Sequence, residues 1–394
     1  MIKESKNKKN ADEINPKKIM FVSHIDWNWI KQRPQFIAEE LAKKGFNIEV
    51  CYHKTYNRKF KKQFQNNSLK QNMNFYVYSL LPNIVVRNNR ILLRFNDFLR
   101  GFYIRKENIK FKAGILYLTY PDQVKCIPRD YSGIVIYDCM DNYSSFMASK
   151  KDQIRILRLE SILIQRADHV FISSEYLKKE LIGRNPKEDI HKFSILRNAY
   201  DGIIEDVSKN GSDAEQLTLS CHKDDIYKFA YVGTISSWFN FDYILRSLED
   251  IPEIEYYLYG PTDIQVPKNS RIHYEGIIEH DKLFSAIKDK NCLIMPFKVN
   301  DIIEAVDPVK LYEYINFNKN ILTIEYDEIE RFREFVYFYK NYDSFVTQIR
   351  QLLKTRNVKY SNDQRISFLK LNTWEERAKV VDEYINNYFE LFTN

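Results

Sequence analysis

Apolar residues recur along this chain in short, almost continuous runs, separated by longer stretches in which they return every three or four positions. "KKIMFVSH" (17–24) reads as a buried strand, and "RPQFIAEELAKKG" (33–45) reads as a helix that begins at proline and stops at glycine. "FNIEVCYH" (46–53), "NFYVYSLL" (74–81), "GILYLTY" (114–120) and "GIVIYDCM" (133–140) predict further strands. A long helix over 150–167, a strand "DHVFISS" (168–174), a helix "EYLKKELIG" (175–183) and a strand "KFSILRN" (192–198) continue the series. Residues 205–226 lack apolar periodicity and predict a linker. The alternation then restarts with "YKFAYVG" (227–233), helix "FDYILRSLED" (241–250), strands "IEYYLYG" (254–260) and "RIHYEG" (271–276), helix "HDKLFSAIKDK" (280–290) and strand "CLIMPF" (292–297). A helix and strand in "AVDPVKLYEYINFNKNIL" (305–322) complete it, and "TWEERAKVVDEYINNYFELF" (373–392) predicts a closing helix.

Strand–helix alternation on this scale is the signature of parallel α/β domains, and 394 residues are long for a single core. The expected organisation is a flexible leader (1–18), a first Rossmann-like domain (19–204), the linker (205–226) and a second Rossmann-like domain (227–372). A C-terminal helix (373–394) is free to cross back to the first domain. In open parallel sheets ligands sit at the carboxyl ends of the strands, so the loops after those strands are where chemistry is sought.

Composition narrows the class. A chain that is 44% hydrophobic and 15% aromatic is globular, and no apolar run approaches the roughly 20 residues that span a bilayer. The polar, Lys-rich N-terminus is not a secretory signal, and five scattered cysteines without a C-x-x-C pattern suggest neither a disulfide framework nor a zinc site; the cytoplasm is the expected compartment. Charge is divided unevenly. Residues 1–200 carry 37 Lys/Arg against 20 Asp/Glu, whereas residues 201–394 carry 23 against 33. Such asymmetry points the first half toward something anionic.

Dinucleotide fingerprints, P-loops and H-E-x-x-H patterns are missing from the sequence, so no metal and no other cofactor is expected. The richest stretch is 305–322. Asp307 and Pro308 open a helix whose first-turn amides, with the helix dipole, form an anion site. Lys310 can add a charge for a phosphate, Leu311 beside it is expected to line the nucleotide-sugar site, and Glu313, on or near the same face, can accept two hydrogen bonds from a ribose diol. The same pattern also suits a capped surface helix with a weak Lys–Glu pair.

Gly233 with Thr234, Gly260 with Pro261, and Gly276 end their strands, either as ordinary turns or as close approaches to a phosphate and base. His280 opens a helix near the expected base pocket, where it can cap or contact ligand. Asp138 and Asp141 stand just beyond a buried strand, as base, stabiliser or sugar-hydroxyl acceptor, or as N-caps of the next helix. After the first strand, Trp27 and Trp29 offer stacking faces for a sugar, and Gln32 and Arg33 offer polar contacts.

Residues 87–106 form the clearest amphipathic segment. On a helical wheel of about 100° per residue, Arg87, Arg90, Arg94 and Arg105 cluster beside Ile91, Phe95, Phe98 and Phe102. Such a face fits an anionic membrane surface, a packed helix with a solvated basic flank, or a nucleic acid. The membrane surface is the expected partner, and nucleic acid is not expected.

Eight blocks together resemble the GT-B glycosyltransferases of the retaining, nucleotide-sugar-dependent, "glycosyltransferase family 4-like" type. They are "QRPQFIAEELAKKG", "VIYDCMDNYSSF", "RADHVFISSEYL", "LRNAYD", "YVGTISSWFNFDYI", "YLYGP", "LIMPFK" and "DPVKLYEYINFNKNIL", in order over most of residues 19–380. The resemblance implies two doubly wound domains facing a central cleft. It places Glu313 as the second acid of the family's E-x7-E motif, gripping the ribose. The first acid falls on Ala305, with Glu304 one residue out of register. The family's diphosphate-neutralising Arg and Lys fall on Thr234 and Phe239, which leaves Lys310, ahead of Arg197, as the cation.

The function this implies is transfer of a sugar from a UDP- or GDP-sugar to a glycan or lipid-linked acceptor of a surface polysaccharide, with anomeric retention, at the inner face of the cell membrane. Asp138, Asp141 and Lys310 are the candidate catalytic groups. A sugar-nucleotide epimerase of the same fold, or a non-catalytic membrane-surface or glycan-binding protein, is the alternative.

Overall fold

A computed structural model describes residues 15–28, 31–54, 72–82, 89–200, 202, 204, 226–355 and 357–393. The chain forms two compact units: Met1–Asn198 with Trp374–Asn394, and Ala199–Thr373. The expected linker lies outside the described residues except for its last position, Ile226.

In the first unit the order is β1 (Asn15–Val22), α1 (Arg33–Lys43), β2 (Asn47–His53), β3 (Met73–Tyr78), α2 (Arg90–Phe111), β4 (Ala113–Leu118), β5 (Ile134–Cys139), α3 (Lys150–Arg166), β6 (His169–Ile172), α4 (Glu175–Arg184) and β7 (Phe193–Ile195). All seven strands are parallel, in the order β3-β2-β1-β4-β5-β6-β7. Strands covered on both faces read as unbroken apolar runs, and every residue of β4 and β5 is buried. Asp138 breaks that rule inside β5 and therefore needs a partner. Residues 15–18, expected in the leader, belong to β1, where Asn15 pairs with Ala113 and Lys18 with Asn47; the rest of that stretch lies outside the described residues.

The second unit contains β8 (Tyr227–Val232), α5 (Phe241–Asp250), β9 (Ile254–Tyr259), β10 (Ile272–Gly276), α6 (His280–Ile287), β11 (Cys292–Met295), the single turn α7 (Asp301–Glu304), α8 (Val309–Asn316), β12 (Asn320–Ile324), β13 (Tyr337–Tyr339), α9 (Tyr342–Leu352) and α10 (Asn362–Leu371). Its six parallel strands are ordered β10-β9-β8-β11-β12-β13. In both sheets the chain reverses direction beside the first strand, between β1 and β4 and between β8 and β11. Such switch points open a crevice at the strand ends.

The closing helix, α11 (Trp374–Thr393), belongs to the first unit. Trp374 stacks on Phe36 with centroids 5.1 Å apart, and Tyr384 stacks on His169 at 4.1 Å. Arg377 Nε donates to the carbonyls of Arg197 (3.1 Å) and Asn198 (3.2 Å).

Candidate functional site

The switch point of the second sheet gathers most of the residues singled out there. Gly233 and Gly260 take φ values of 143° and 132°, a region that side chains other than glycine's avoid. Their loops lie against one another: Gly233 N–H donates to the Tyr259 carbonyl at 2.8 Å, and Ile235 N–H donates to the Pro261 carbonyl at 2.9 Å. A Cβ on Gly260 would stand 2.2 Å from the Gly233 carbonyl oxygen, so this packing requires glycine. Gly276, at φ 72°, accepts from Gly260 N–H at 2.7 Å and completes a row of three strand-exit glycines. Thr234 is exposed, and its carbonyl accepts the Tyr231 hydroxyl at 2.8 Å.

Helix α8 is anchored at that row. Tyr314 Oη accepts from Val232 N–H at 2.8 Å, which ties the middle of α8 to the last residue of β8. At its start, buried Asp307 pairs with Arg331 and accepts from the Tyr312 hydroxyl at 3.2 Å. Asp307 therefore holds the loop in place; its carboxylate faces protein partners. Pro308 is the N-cap residue, one position earlier than the first-turn site expected, and gives no side-chain cap to the amides of α8. Leu311 is fully buried.

Lys310 projects from the first turn across Gly233, where a Cβ would lie 1.9 Å from its Cε and 2.8 Å from its Nζ. Burial lowers the Lys310 pKa, and the Glu313 carboxylate opposes that shift. Glu313 is half-buried on the next turn, and Ala305, at the position of the missing first acid, is buried. His280 begins α6, and its side chain lies outside the described residues. What this corner offers is a glycine row, a helix start without a side-chain cap, a partly desolvated ammonium and a carboxylate one turn on. Those groups suit a diphosphate and a diol.

In the first unit, the two aspartates after β5 have different fates. Asp138 is 0% exposed, and Arg33 grips it with Nη2–Oδ1 at 2.7 Å and Nε–Oδ2 at 3.0 Å. Tyr117 adds its hydroxyl at 3.0 Å. Arg33 and Asp138, expected as acceptor-binding and catalytic groups, instead bolt α1 to β5. A buried carboxylate with bidentate guanidinium partners is held for structure. Asp141 is half-buried, and burial pushes its carboxyl up to about 7 against the pull of the Arg33 charge.

Trp27 is 5% exposed, edge-on to Phe21 at 6.3 Å and tilted against Phe75 at 5.9 Å, so its ring fills the core rather than offering a stacking face. Gln32 sits at the N-cap of α1, where its N–H donates to Gln35 Oε1 at 3.0 Å. Trp29 lies outside the described residues.

The strand ends also hold groups the sequence reading passed over. His24, two residues past β1, meets Thr119, one residue past β4, with Nδ1 and Oγ1 2.9 Å apart. Its ring stacks on Tyr120 (5.2 Å) and stands edge-on to Tyr143 (5.7 Å). The signal available in the sequence was position alone: a histidine just beyond a buried strand.

Helix α2 begins at Arg90, later than the amphipathic segment, and runs on to Phe111. Arg87 and the Arg90 side chain lie outside the described residues. Ile91, Phe95, Phe98, Phe102 and Ile109 are exposed, Phe98 by 60% and Ile91 by 77%. Arg94 is exposed, whereas Arg105 turns back to the Lys125 carbonyl, which removes it from the expected basic cluster. Arg100 pairs inward with Asp122 at 2.6 Å. Among the described residues no helix is long and apolar enough to cross a membrane.

No family model matches the chain. One curated relative, TuaH of Bacillus subtilis (strain 168), provisionally named as a teichuronic acid biosynthesis glycosyltransferase, is 21% identical over 267 residues. The match spans 64% of this chain and 66% of that protein, just under two thirds of its length. Among solved structures, sucrose-phosphate synthase from Thermosynechococcus elongatus aligns with a TM-score of 0.70 at 12% identity, over 95% of this chain and 99% of that one. Anabaena Alr3699/HepE in complex with UDP aligns at 0.66 with 11% identity, over 94% of this chain and 100% of that one. The E. coli trehalose-6-phosphate structure bound with UDP-2-fluoro glucose aligns at 0.59 with 8% identity, over 93% of this chain and 98% of that one. With its two parallel sheets, this chain has the GT-B fold of those structures.

Proposed function

We propose that the chain is a glycosyltransferase that moves a sugar from a nucleoside-diphosphate sugar, UDP or GDP, to a glycan or lipid-linked acceptor of a surface polysaccharide. The observation that carries this reading is the approach of Lys310 to Gly233 at the β8/β11 switch point, with Glu313 one turn on. Three structures of two structurally similar proteins support it: HepE holds UDP in one and UDP-glucose in another, and the E. coli protein holds UDP-2-fluoro glucose. TuaH supports a polysaccharide acceptor through its name.

On this reading the α8 amides and Lys310 bind the diphosphate and Glu313 binds the ribose. The bond between the anomeric carbon and the phosphate oxygen breaks, and its electron pair leaves on the diphosphate, where Lys310 offsets the growing charge. The acceptor oxygen bonds to the anomeric carbon and gives up its proton. That proton passes to the departing diphosphate oxygen, which carries the electron pair. Retention at the anomeric carbon is carried over from the family resemblance.

The exposed apolar face of α2, with Arg94 beside it, suits peripheral attachment to an anionic membrane at its cytoplasmic face. That attachment would bring a lipid-linked acceptor to the basic first half.

The test is a thermal-shift panel of UDP, GDP, ADP and CDP, followed by incubation with the labelled sugar nucleotide of the preferred base. Transfer to an acceptor supports the proposal. Conversion of the donor sugar without any acceptor identifies an epimerase, and binding without turnover identifies a non-catalytic protein.

A further inference from the structure

The switch point of the first sheet contains a histidine whose proton can be placed by counting hydrogens. His24 Nδ1 and Thr119 Oγ1 are 2.9 Å apart. A hydroxyl has one hydrogen, and Thr119 donates its own to the Val22 carbonyl at 3.0 Å. Thr119 Oγ1 can therefore meet the imidazole only as an acceptor, which requires the hydrogen to sit on Nδ1.

The ring is neutral. Burial lowers its pKa to about 4, with His53 and Arg100 lowering it further and only Asp122 pulling the other way. A neutral imidazole with Nδ1–H has a bare lone pair at Nε2. That nitrogen has no hydrogen-bond partner among the described residues. The ring itself is half-buried and fixed in direction, stacked on Tyr120 and edge-on to Tyr143. Tyr143 is fixed in turn, since its hydroxyl donates to the Thr119 carbonyl at 2.7 Å. Three side chains and two strand ends thus hold the ring, and with it one acceptor atom, at the switch point of the first sheet.

The chemistry of that atom selects its ligand. A lone pair with no charge repels phosphate and carboxylate oxygens and accepts from an O–H. Beside it the half-buried Tyr120, stacked on His24 and in contact with Tyr143 at 4.7 Å, makes the surroundings of that atom aromatic, which suits a hydroxyl carried on a sugar better than an anion. We infer that Nε2 of His24 accepts a hydrogen bond from a hydroxyl of the sugar acceptor, and so helps to select and orient the acceptor in the first unit. This rests on the glycosyltransferase reading above and adds to it an acceptor-side residue. A histidine that only tied β1 to β4 would have the same tautomer but would be indifferent to sugars.

The experiment uses the full chain with 15N-labelled histidine side chains. Two-bond 1H–15N spectra at neutral pH report the tautomer, and the His24 signals are those lost in His24→Gln. The expected pattern is Nδ1 protonated and Nε2 bare. Methyl glucoside, galactoside and mannoside are then titrated in, with sodium sulfate as the anionic control. At least one glycoside is expected to shift the Nε2 resonance toward its hydrogen-bonded range, and sulfate is not. An Nε2–H tautomer, an Nε2 resonance unmoved by every glycoside, or an equal response to sulfate overturns the inference.

Stabilisation of the unlabelled parent by UDP, GDP, ADP and CDP is measured alongside. A nucleotide response with a silent His24 sinks only the acceptor role. A sugar-responsive His24 without any nucleotide response keeps the subsite and removes the glycosyltransferase reading.

Discussion

Lys310 lies across Gly233 so closely that a Cβ on the glycine would stand 1.9 Å from the lysine Cε. The lysine end can swing away, but the φ of 143° at Gly233 disfavours any side chain. Gly233→Ala is therefore expected to fold, at a cost of about 1–3 kcal/mol, with Lys310 displaced and UDP affinity reduced by about tenfold or more. At Gly260 the obstruction is the Gly233 carbonyl, which is backbone and cannot swing. Gly260→Ala should lose more stability than Gly233→Ala. Urea unfolding of both variants, with UDP titration of the folded ones, checks the contrast.

Arg33 and Asp138 form a pair buried on both sides, with side-chain exposures of 3% and 0%. Removing either partner strands the other charge in the core. Arg33→Met or Asp138→Leu should each cost about 3–5 kcal/mol, and the double variant Arg33→Met/Asp138→Leu less than the sum. Urea unfolding of the four proteins in the cycle measures the coupling. Asp138→Asn should lower the melting temperature more than it lowers the turnover of the protein that remains folded.

Asp141 gives a pH dependence with a definite sign. Its carboxyl is raised to about 7 by burial, so between 3.8 and about 7 the folded chain holds a proton that the unfolded chain has released. The stability this contributes is present below the unfolded pKa and is lost as pH rises through about 7. His24 and His169, both lowered to about 4 by burial, act in the opposite direction: their contribution is lost as pH falls from 6.5 toward 4. Asp141→Asn removes only the first effect. Its stability relative to the parent should improve by on the order of 1–3 kcal/mol from pH 4 to pH 8, read from urea midpoints at each pH.

The α2 face leads to a binding experiment. Replacing Phe95, Phe98 and Phe102 with Ser removes exposed apolar rings without touching the core. The variant should co-sediment with phosphatidylglycerol-containing vesicles several-fold less than the parent. High salt should weaken the parent as well, through the Arg side chains. Equal pelleting of the two proteins, or of an Arg87→Glu/Arg90→Glu/Arg94→Glu variant, contradicts a membrane role for this helix.

The strands were legible because parallel strands are buried on both faces, which leaves runs such as "AGILYL" and "IVIYDC" unmistakable. β13 was not: three residues at a sheet edge, "YFY", carry no period. The glycine row and the 307–313 stretch were visible as punctuation and charge spacing. Partnerships across the sequence were not, since Arg33 meets Asp138 across 105 positions. A bulky ring on a loop likewise reads as a sugar platform until burial shows Trp27 among Phe21 and Phe75. His24 was passed over because its meaning comes from Thr119, a residue 95 positions away.

The central claim is that α8 and the Gly233 turn hold a nucleotide diphosphate. Its most direct test is isothermal titration of UDP and GDP into the parent and into Lys310→Ala and Glu313→Ala. One nucleotide should bind the parent, with loss of about tenfold or more in each variant. Because burial depresses the Lys310 pKa, binding of the anion should draw a proton onto the protein at alkaline pH, visible as a buffer-dependent heat. Unchanged affinity in both variants, or no binding to the parent, would contradict the account.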